Sequence, residues 1–489
     1  MRGKSVRGNK EEVSSRLKGG TYMKIGCLNP TDENLFDTLE KDYIGRTTDV
    51  INFVRMICAI DGGSSIALDA KWGEGKTFFV KQAKLILDAY NDYGYDDAAH
   101  GLLDADKAKK IKDIFNKAYP GYVVPSLATI YYDAWEHDND EDPVLSLVDS
   151  IVESGMVNLD YERMKGLLIQ IIPILSNLVE AVSKIPVYSI TKELTKIANS
   201  KGELSAIDEL VVSQKKKREI KALVNEFFDS ISNEVENGII IFIDELDRCK
   251  PLYAVKLLER IKHYFSNDKI KFIFAINKEE TQHTIKCVYG QGYDGARYLD
   301  RFFDYSITLP NYDKAKLYNY ILGESPNRDN LYIEEVSENF GLSIRELIKL
   351  KSICKIALTD LHSNKYSNSF YFDDYLKNSY LLIFLMIGLR MYNVSEYNLF
   401  ISGNGFDIYE KYIMRMPKLK KLYADVFYGY GKEYNAKDFD EKLRKYYDLM
   451  LTQKEQYFDQ KIGNVHVSNT EAIEIKRIAS MLSSWCSIE

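Results

Sequence analysis

The sequence predicts an α/β fold: a parallel sheet flanked by helices, followed by a mostly helical remainder. Two observations carry this. Five short apolar runs, "SSIALDA" (64–70), "SLATIYYDAW" (126–135), "GIIIFIDELDRCKP" (238–251), "KIKFIFAIN" (269–277) and "YSITLP" (305–310), are separated by segments with helical apolar spacing. Strands that read as near-continuous apolar runs lie in sheets buried on both faces, and such sheets are parallel with helical crossovers. From about 313 onward only helical periodicity and a high density of tyrosine remain, with no internal repeat or low-complexity tract.

Composition bounds the rest. A chain of 489 residues is expected to form two or three domains. Its 45% hydrophobic and 28% charged content is that of an ordinary soluble globular protein. A formal net charge of −7 argues against a broadly basic surface, so nucleic acid is not the default partner. The six cysteines are scattered without a C-x-x-C pair and the six histidines are dispersed. That pattern speaks against a structural zinc site and suits a reducing cytoplasm. Residues 1–20 are polar and basic, without the apolar stretch of a signal peptide, and read as a flexible arm. Two apolar runs fail the length test for a membrane span, which needs about 20 residues. One (166–186) carries Gln170, Pro173, Asn177, Glu180 and Lys184, and the other (380–392) is interrupted by Arg390.

The chemistry begins after the first strand. "AKWGEGKT" (70–77) is nearly the phosphate-binding loop GxxxxGK[ST], with Ala70 in place of the first glycine. Gly73 and Gly75 allow backbone N–H groups to turn inward, Lys76 supplies charge for the terminal phosphates, and Thr77 supplies a hydroxyl for Mg²⁺. The helix that follows presents its positive dipole end to the anion. Trp72, Gly73, Glu74, Gly75, Lys76, Thr77 and Phe78 are the candidate nucleotide-binding residues. Alanine at position 70 is tolerable where the backbone keeps a negative φ.

"IIIFIDELDR" places Asp244 and Glu245 at the tip of an apolar strand. A carboxylate there can hold Mg²⁺ and its neighbour can orient the attacking water, so Asp244 and Thr77 are the candidate metal ligands and Glu245 the candidate base. Asn277 ends the next strand, where it either touches the γ-phosphate or water, or caps the following helix. Arg297 and Arg301 are the candidate arginines of a neighbouring subunit's site, against the plainer reading of surface ion pairs. No guanine-selecting Asn-Lys-x-Asp follows that strand, because Glu280 stands where the aspartate belongs; this favours ATP.

Five blocks together resemble the KAP group of P-loop NTPases, within the additional-strand, catalytic-glutamate division. "DYIGRTTDVINFV" (42–54) is similar to its leading element, which would put Gly45 and Arg46 near the base or phosphates. "KWGEGKT" (71–77) has its Trp-Gly-x-Gly-Lys form. "YYDAWEHDNDEDPVLSLV" (131–148) resembles its Asn-Ala-Trp block with Asp133 in place of Asn. "FIDELDRCKP" (242–251) matches closely, including Asp247, Arg248 and Pro251. "SIRELIKL" (343–350) looks like the segment that carries a second sensor arginine, here Arg345. Trp72 and Trp135 read as packing residues before ligand contacts. Asp133 either lies near the Mg²⁺ or caps the next helix.

The resemblance spans roughly 40–355 and implies a P-loop NTPase sheet with a helical insert (about 141–230). The expected organisation is an arm (1–40), the NTPase domain (41–312), a helical lid (313–365) and a helical C-terminal domain (366–489). It implies an ATP- and Mg²⁺-dependent conformational switch or assembly regulator, of the kind associated in bacteria with phage or plasmid exclusion, acting as a homo-oligomer or with a partner defence protein. Two other readings stay open. One is a nucleic-acid-dependent NTPase, supported only by the basic arm and Lys215–Arg218. The other is a nucleotide-dependent scaffold with little turnover. The tyrosine-rich blocks "KLYADVFYGYGKEY" (421–434) and "YYDLM" (446–450) form either a partner surface or the tail's own core.

Overall fold

A computed structural model describes residues 28–91, 103–140, 142–153, 222, 224–229, 231, 237–264, 267–323, 328–363, 372–452 and 459–484. Most of the expected helical insert, the first apolar run (166–186), the Lys215–Arg218 cluster and the first 27 residues lie outside them. The chain divides into two compact units, meeting in sequence at residues 314 and 315.

The first unit is built on five strands: β1 (Ser64–Asp69), β2 (Ala128–Asp133), β3 (Ile239–Asp244), β4 (Ile270–Ile276) and β5 (Tyr305–Thr308). They form one sheet in the order β2-β3-β4-β1-β5, with every pairing parallel. All five expected strands are present. Alternation explains the continuous apolar runs. Ile239, Ile241 and Ile243 of β3 pack on one face with Ile130, Tyr132, Phe272 and Phe274. Ile240 and Phe242 pack on the other with Ile66, Leu68 and Ile273. A strand covered on both sides has no solvent face to make polar. The helices against these faces include α1 (Asp32–Lys41), α2 (Thr47–Ala59) and α3 (Lys76–Ala89).

The expected arm (1–40) overlaps a helix at its carboxyl end. Residues 32–41 form α1, capped by the Thr31 hydroxyl accepting from the Asn34 N–H, and bury Leu35, Phe36 and Leu39. An N-cap threonine, acids in the first turn and apolar residues at i, i+1 and i+4 make an amphipathic helix that the core retains.

The second unit is helical. Its longest helix, Phe372–Tyr392, contains the second apolar run, and Leu382, Ile383, Phe384, Leu385, Met386, Ile387 and Leu389 are buried. Among the described residues no helix is long and apolar enough to cross a membrane. The tyrosine question resolves mostly in favour of packing: Tyr397, Tyr409, Tyr423, Tyr446 and Tyr447 are fully buried, whereas Tyr430 stands in solvent. One feature has no counterpart in the sequence reading, a hairpin of β6 (Asp459–Ile462) and β7 (Val465–Ser468). Gly463 turns it with φ near 60°, where a Cβ would lie 2.0 Å from the Phe427 carbonyl oxygen. Asp459–Ile462 carries a single apolar residue, so it lacks the apolar run that marked the strands of the sheet.

Candidate functional site

The strand order sets the site. β4 lies between β1 and β3, so the two chemically loaded strand ends are two strand spacings, about 10 Å, apart. Both emerge at the carboxyl edge, where open parallel sheets bind ligands.

At the end of β1 the Ala70 N–H still bonds the Ile276 carbonyl at 3.1 Å, extending the β4 pairing. The chain then turns through Gly73 and Gly75, both left-handed with φ of 82° and 91°. Ala70 is not among the residues with positive φ, so its methyl costs the backbone nothing. Lys76 opens α3, a helix of 14 residues. Its buried ammonium folds over the loop, donating to the carbonyls of Ala70 at 2.8 Å and Lys71 at 3.4 Å, and lies 3.6 Å from Asp247 Oδ2. Phe78 points away into the core with Phe79 and Val80.

At the end of β3, Asp244 is buried. It accepts from the Tyr131 hydroxyl at 3.0 Å and from the Glu245 N–H at 2.8 Å. Burial pushes its carboxyl above the usual range, opposed by these bonds and by the neighbouring Thr77 hydroxyl. Thr77 stands between the two acids, since its hydroxyl also lies 3.4 Å from Glu245 Oε1. Glu245 has left-handed backbone (φ 58°, ψ 21°), rare for a residue with a side chain. Its Oε2 is ion-paired with Arg248, 2.6 Å from Nε. Burial and then Asp244 push the Glu245 carboxyl up, and Arg248 opposes them.

Asp247 is the residue that sequence reasoning quoted but did not assign. Its buried Oδ2 gathers the indole N–H of Trp72 at 2.8 Å, the backbone N–H of Asn277 at 3.0 Å and the Lys76 ammonium. Its Oδ1 is buried without a hydrogen-bond partner among the described residues. One carboxylate thus ties the loop after β1, the turn after β3 and the end of β4. The signal was its place three residues after Asp244, in a turn short enough to carry it back across the site. Tyr131 was missed too, because a tyrosine in an apolar strand reads as core.

Arg46 grips the loop from behind. Buried beside the Tyr312 ring at 5.4 Å, it donates to the Glu74 carbonyl at 2.7 Å, while its Nε has no partner among the described residues. Burial lowers its pKa. Gly45 before it has φ near 70°, and a Cβ there would lie 2.4 Å from the Asp313 Cβ.

The remaining candidates separate. Asp133 sits opposite Asp244 in register, and its Oδ1 accepts from the N–H groups of Trp135 and Glu136 at 3.1 and 3.3 Å, closing a turn rather than capping a helix. The two tryptophans are not core residues, being 46% (Trp72) and 53% (Trp135) exposed. Asn277 caps the helix Lys278–Tyr289, its side-chain oxygen accepting from the Glu279 and Glu280 N–H groups. Arg297 and Arg301 are exposed, and among the described residues neither guanidinium has an ion pair or hydrogen bond. Arg345 is exposed in the first turn of Ile344–Ser363, in the second unit. There Ser343 and Glu346 close a capping box, with the Ser343 N–H 2.8 Å from Glu346 Oε2.

The donor set fits a magnesium nucleotide. Thr77 and Asp244 offer converging hard oxygens, as a small divalent cation requires. The loop offers left-handed glycines, a buried ammonium and a helix N-terminus, as a polyphosphate requires. No curated protein matches the chain. A family model, the KAP family P-loop domain, matches residues 47–427, starting within the roughly 40–355 that the sequence blocks covered and extending past its carboxyl end. With a parallel sheet, a phosphate loop and facing acids all in place, the chain belongs to the KAP family of P-loop NTPases.

Proposed function

We propose that the chain binds ATP with Mg²⁺ and hydrolyses it, using the cycle as a conformational switch. The single observation that carries this is the meeting of Thr77 with Asp244 and Glu245 beside the Lys76 loop. In this reading Lys76 leaves Asp247 and the loop carbonyls for the β- and γ-phosphates. Thr77 and Asp244 would hold a magnesium ion, which would supply charge neutralisation at the phosphate oxygens. Glu245 Oε1 orients the attacking water and takes its proton. Phosphoryl transfer asks mainly for positioning and charge neutralisation, so these parts suffice for slow turnover, and an arginine in trans would accelerate it. Arg301 and Arg297, exposed on the same unit, are the candidates for that role toward a neighbouring copy, and Arg345 for a sensor in the helical unit.

The biological setting we propose is bacterial defence against phage or plasmids, through assembly with copies of itself or a partner protein. The experiment is phosphate release from ATP by the full chain with and without Mg²⁺, beside Glu245→Gln. Turnover in the wild type, with bound ATP accumulating in the variant, supports hydrolysis. ATP binding without turnover in either would leave a nucleotide-dependent scaffold. Plating of phage on cells carrying the wild type or Lys76→Ala tests the setting, with equal plating counting against it.

A further inference from the structure

Glu245 is held from a side that hydrolysis itself leaves unassigned. Left-handed backbone in a non-glycine residue persists only where its surroundings over-determine it, and among the described residues only Asp42 shares it. At Glu245 the surroundings are largely one residue. The Arg248 N–H bonds the Glu245 carbonyl at 3.1 Å, closing the single turn Leu246–Arg248. The Arg248 guanidinium then returns to Glu245 Oε2 at 2.6 Å. That guanidinium lies 5.5 Å from the centre of the Trp135 ring, and the backbone N–H of Trp135 is fixed by Asp133 Oδ1. The arrangement runs from the end of β2 through Trp135 and Arg248 to Glu245, and it leaves Oε1 facing Thr77.

The geometry points to Arg248 as the positioning residue for Glu245: it pins Oε2 so that Oε1 is presented to the nucleotide side, with Trp135 bracing the guanidinium. Arg248 is not placed on the phosphates and is not a catalytic residue. The exposed face of Trp135 is explained as the outer support of a half-buried pair, a role that neither packing in the core nor ligand contact gave it. The assignment rests on the hydrolysis reading above.

The test is steady-state ATP hydrolysis by the full chain, comparing wild type, Arg248→Gln, Arg248→Lys and Trp135→Leu. Arg248→Gln is expected to lower kcat about tenfold to a hundredfold, the effect of displacing a reacting group by about 1 Å, with KM for ATP within about twofold. Arg248→Lys, which keeps a donor and the charge, regains part of kcat, and Trp135→Leu loses less than Arg248→Gln. An Arg248→Gln chain with wild-type or higher kcat would overturn the assignment, the higher value marking the ion pair as a restraint that must open. A parallel loss of ATP affinity and thermal stability, unrelieved by lysine, would also overturn it by making the role merely structural. A wild type that binds ATP without turnover would remove the hydrolysis reading and this role together, whereas a wild type that turns over beside an unaffected Arg248→Gln removes this role alone.

Discussion

Buried charge is used differently in the two units. In the sheet unit Lys76, Asp244, Asp247 and Arg46 are all buried and converge on one loop and the turns around it. In the helical unit the buried carboxylates each close a local structure. Glu335 accepts from the N–H groups of Lys418 and Leu419, both at 2.6 Å, at the start of the helix Pro417–Tyr428. Glu471 accepts from the Ser468 N–H at 2.7 Å, before the helix Asn469–Ser484. Burying charge is costly unless it is paired. Glu335 and Glu471 on helix ends are matched by backbone donors, whereas around the loop Asp247 Oδ1 and Arg46 Nε have no partner among the described residues, as also holds for Asp440 Oδ1 in the helical unit. The difference separates chemistry from architecture, and it predicts that substitutions in one unit act on turnover and in the other on stability.

The largest separation is expected at Glu245. Glu245→Gln should lower kcat by about 10²–10⁴-fold, the range of general-base contributions, while equilibrium ATP binding and melting temperature stay near wild type. Lys76→Ala should weaken ATP binding about tenfold to a hundredfold, as one charge-assisted contact of about 1.5–3 kcal/mol implies; isothermal titration checks it. In the helical unit Glu335→Ala should cost about 1–3 kcal/mol by stranding two N–H groups, seen as a lower melting temperature with ATP affinity unchanged. Asp247→Asn sharpens the contrast in the opposite direction. It keeps an acceptor for Trp72 and Asn277 but releases Lys76, so ATP should bind about two- to fivefold more tightly, the scale of a modest ion pair. Tyr430→Ser, on an exposed ring, should change stability by less than about 0.5 kcal/mol. A large loss of ATP binding from Glu335→Ala, or a large stability loss from Glu245→Gln, would break the division.

The sheet was legible because strands buried on both faces must be apolar throughout, as in "IIIFI" of β3. Their order was not, since parallel crossovers do not fix which strands become neighbours. Only the structure places β4 between the loop strand and the acid strand. Lys76, Thr77, Asp244 and Glu245 were legible as residue types at fixed spacing. The left-handed turn at Glu245, the return of Arg248 and the three donors on Asp247 were not, because each depends on residues brought together from distant strand ends. Tyrosine was ambiguous for a physical reason. Its ring packs like phenylalanine and its hydroxyl tolerates water, so Tyr423 in the core and Tyr430 in solvent look alike in sequence. The N-terminal arm was drawn too far because α1 is a single amphipathic helix after a polar stretch, and its capping threonine was the signal to weigh.

That two strand ends grip one magnesium nucleotide is tested most directly by ATP binding, measured with and without Mg²⁺, in wild type, Thr77→Ala, Asp244→Asn and the double variant. The Mg²⁺-dependent gain in affinity should vanish in either single variant, with no further loss in the double. Retention of that gain in both single variants, or strictly additive losses, would contradict a shared ion.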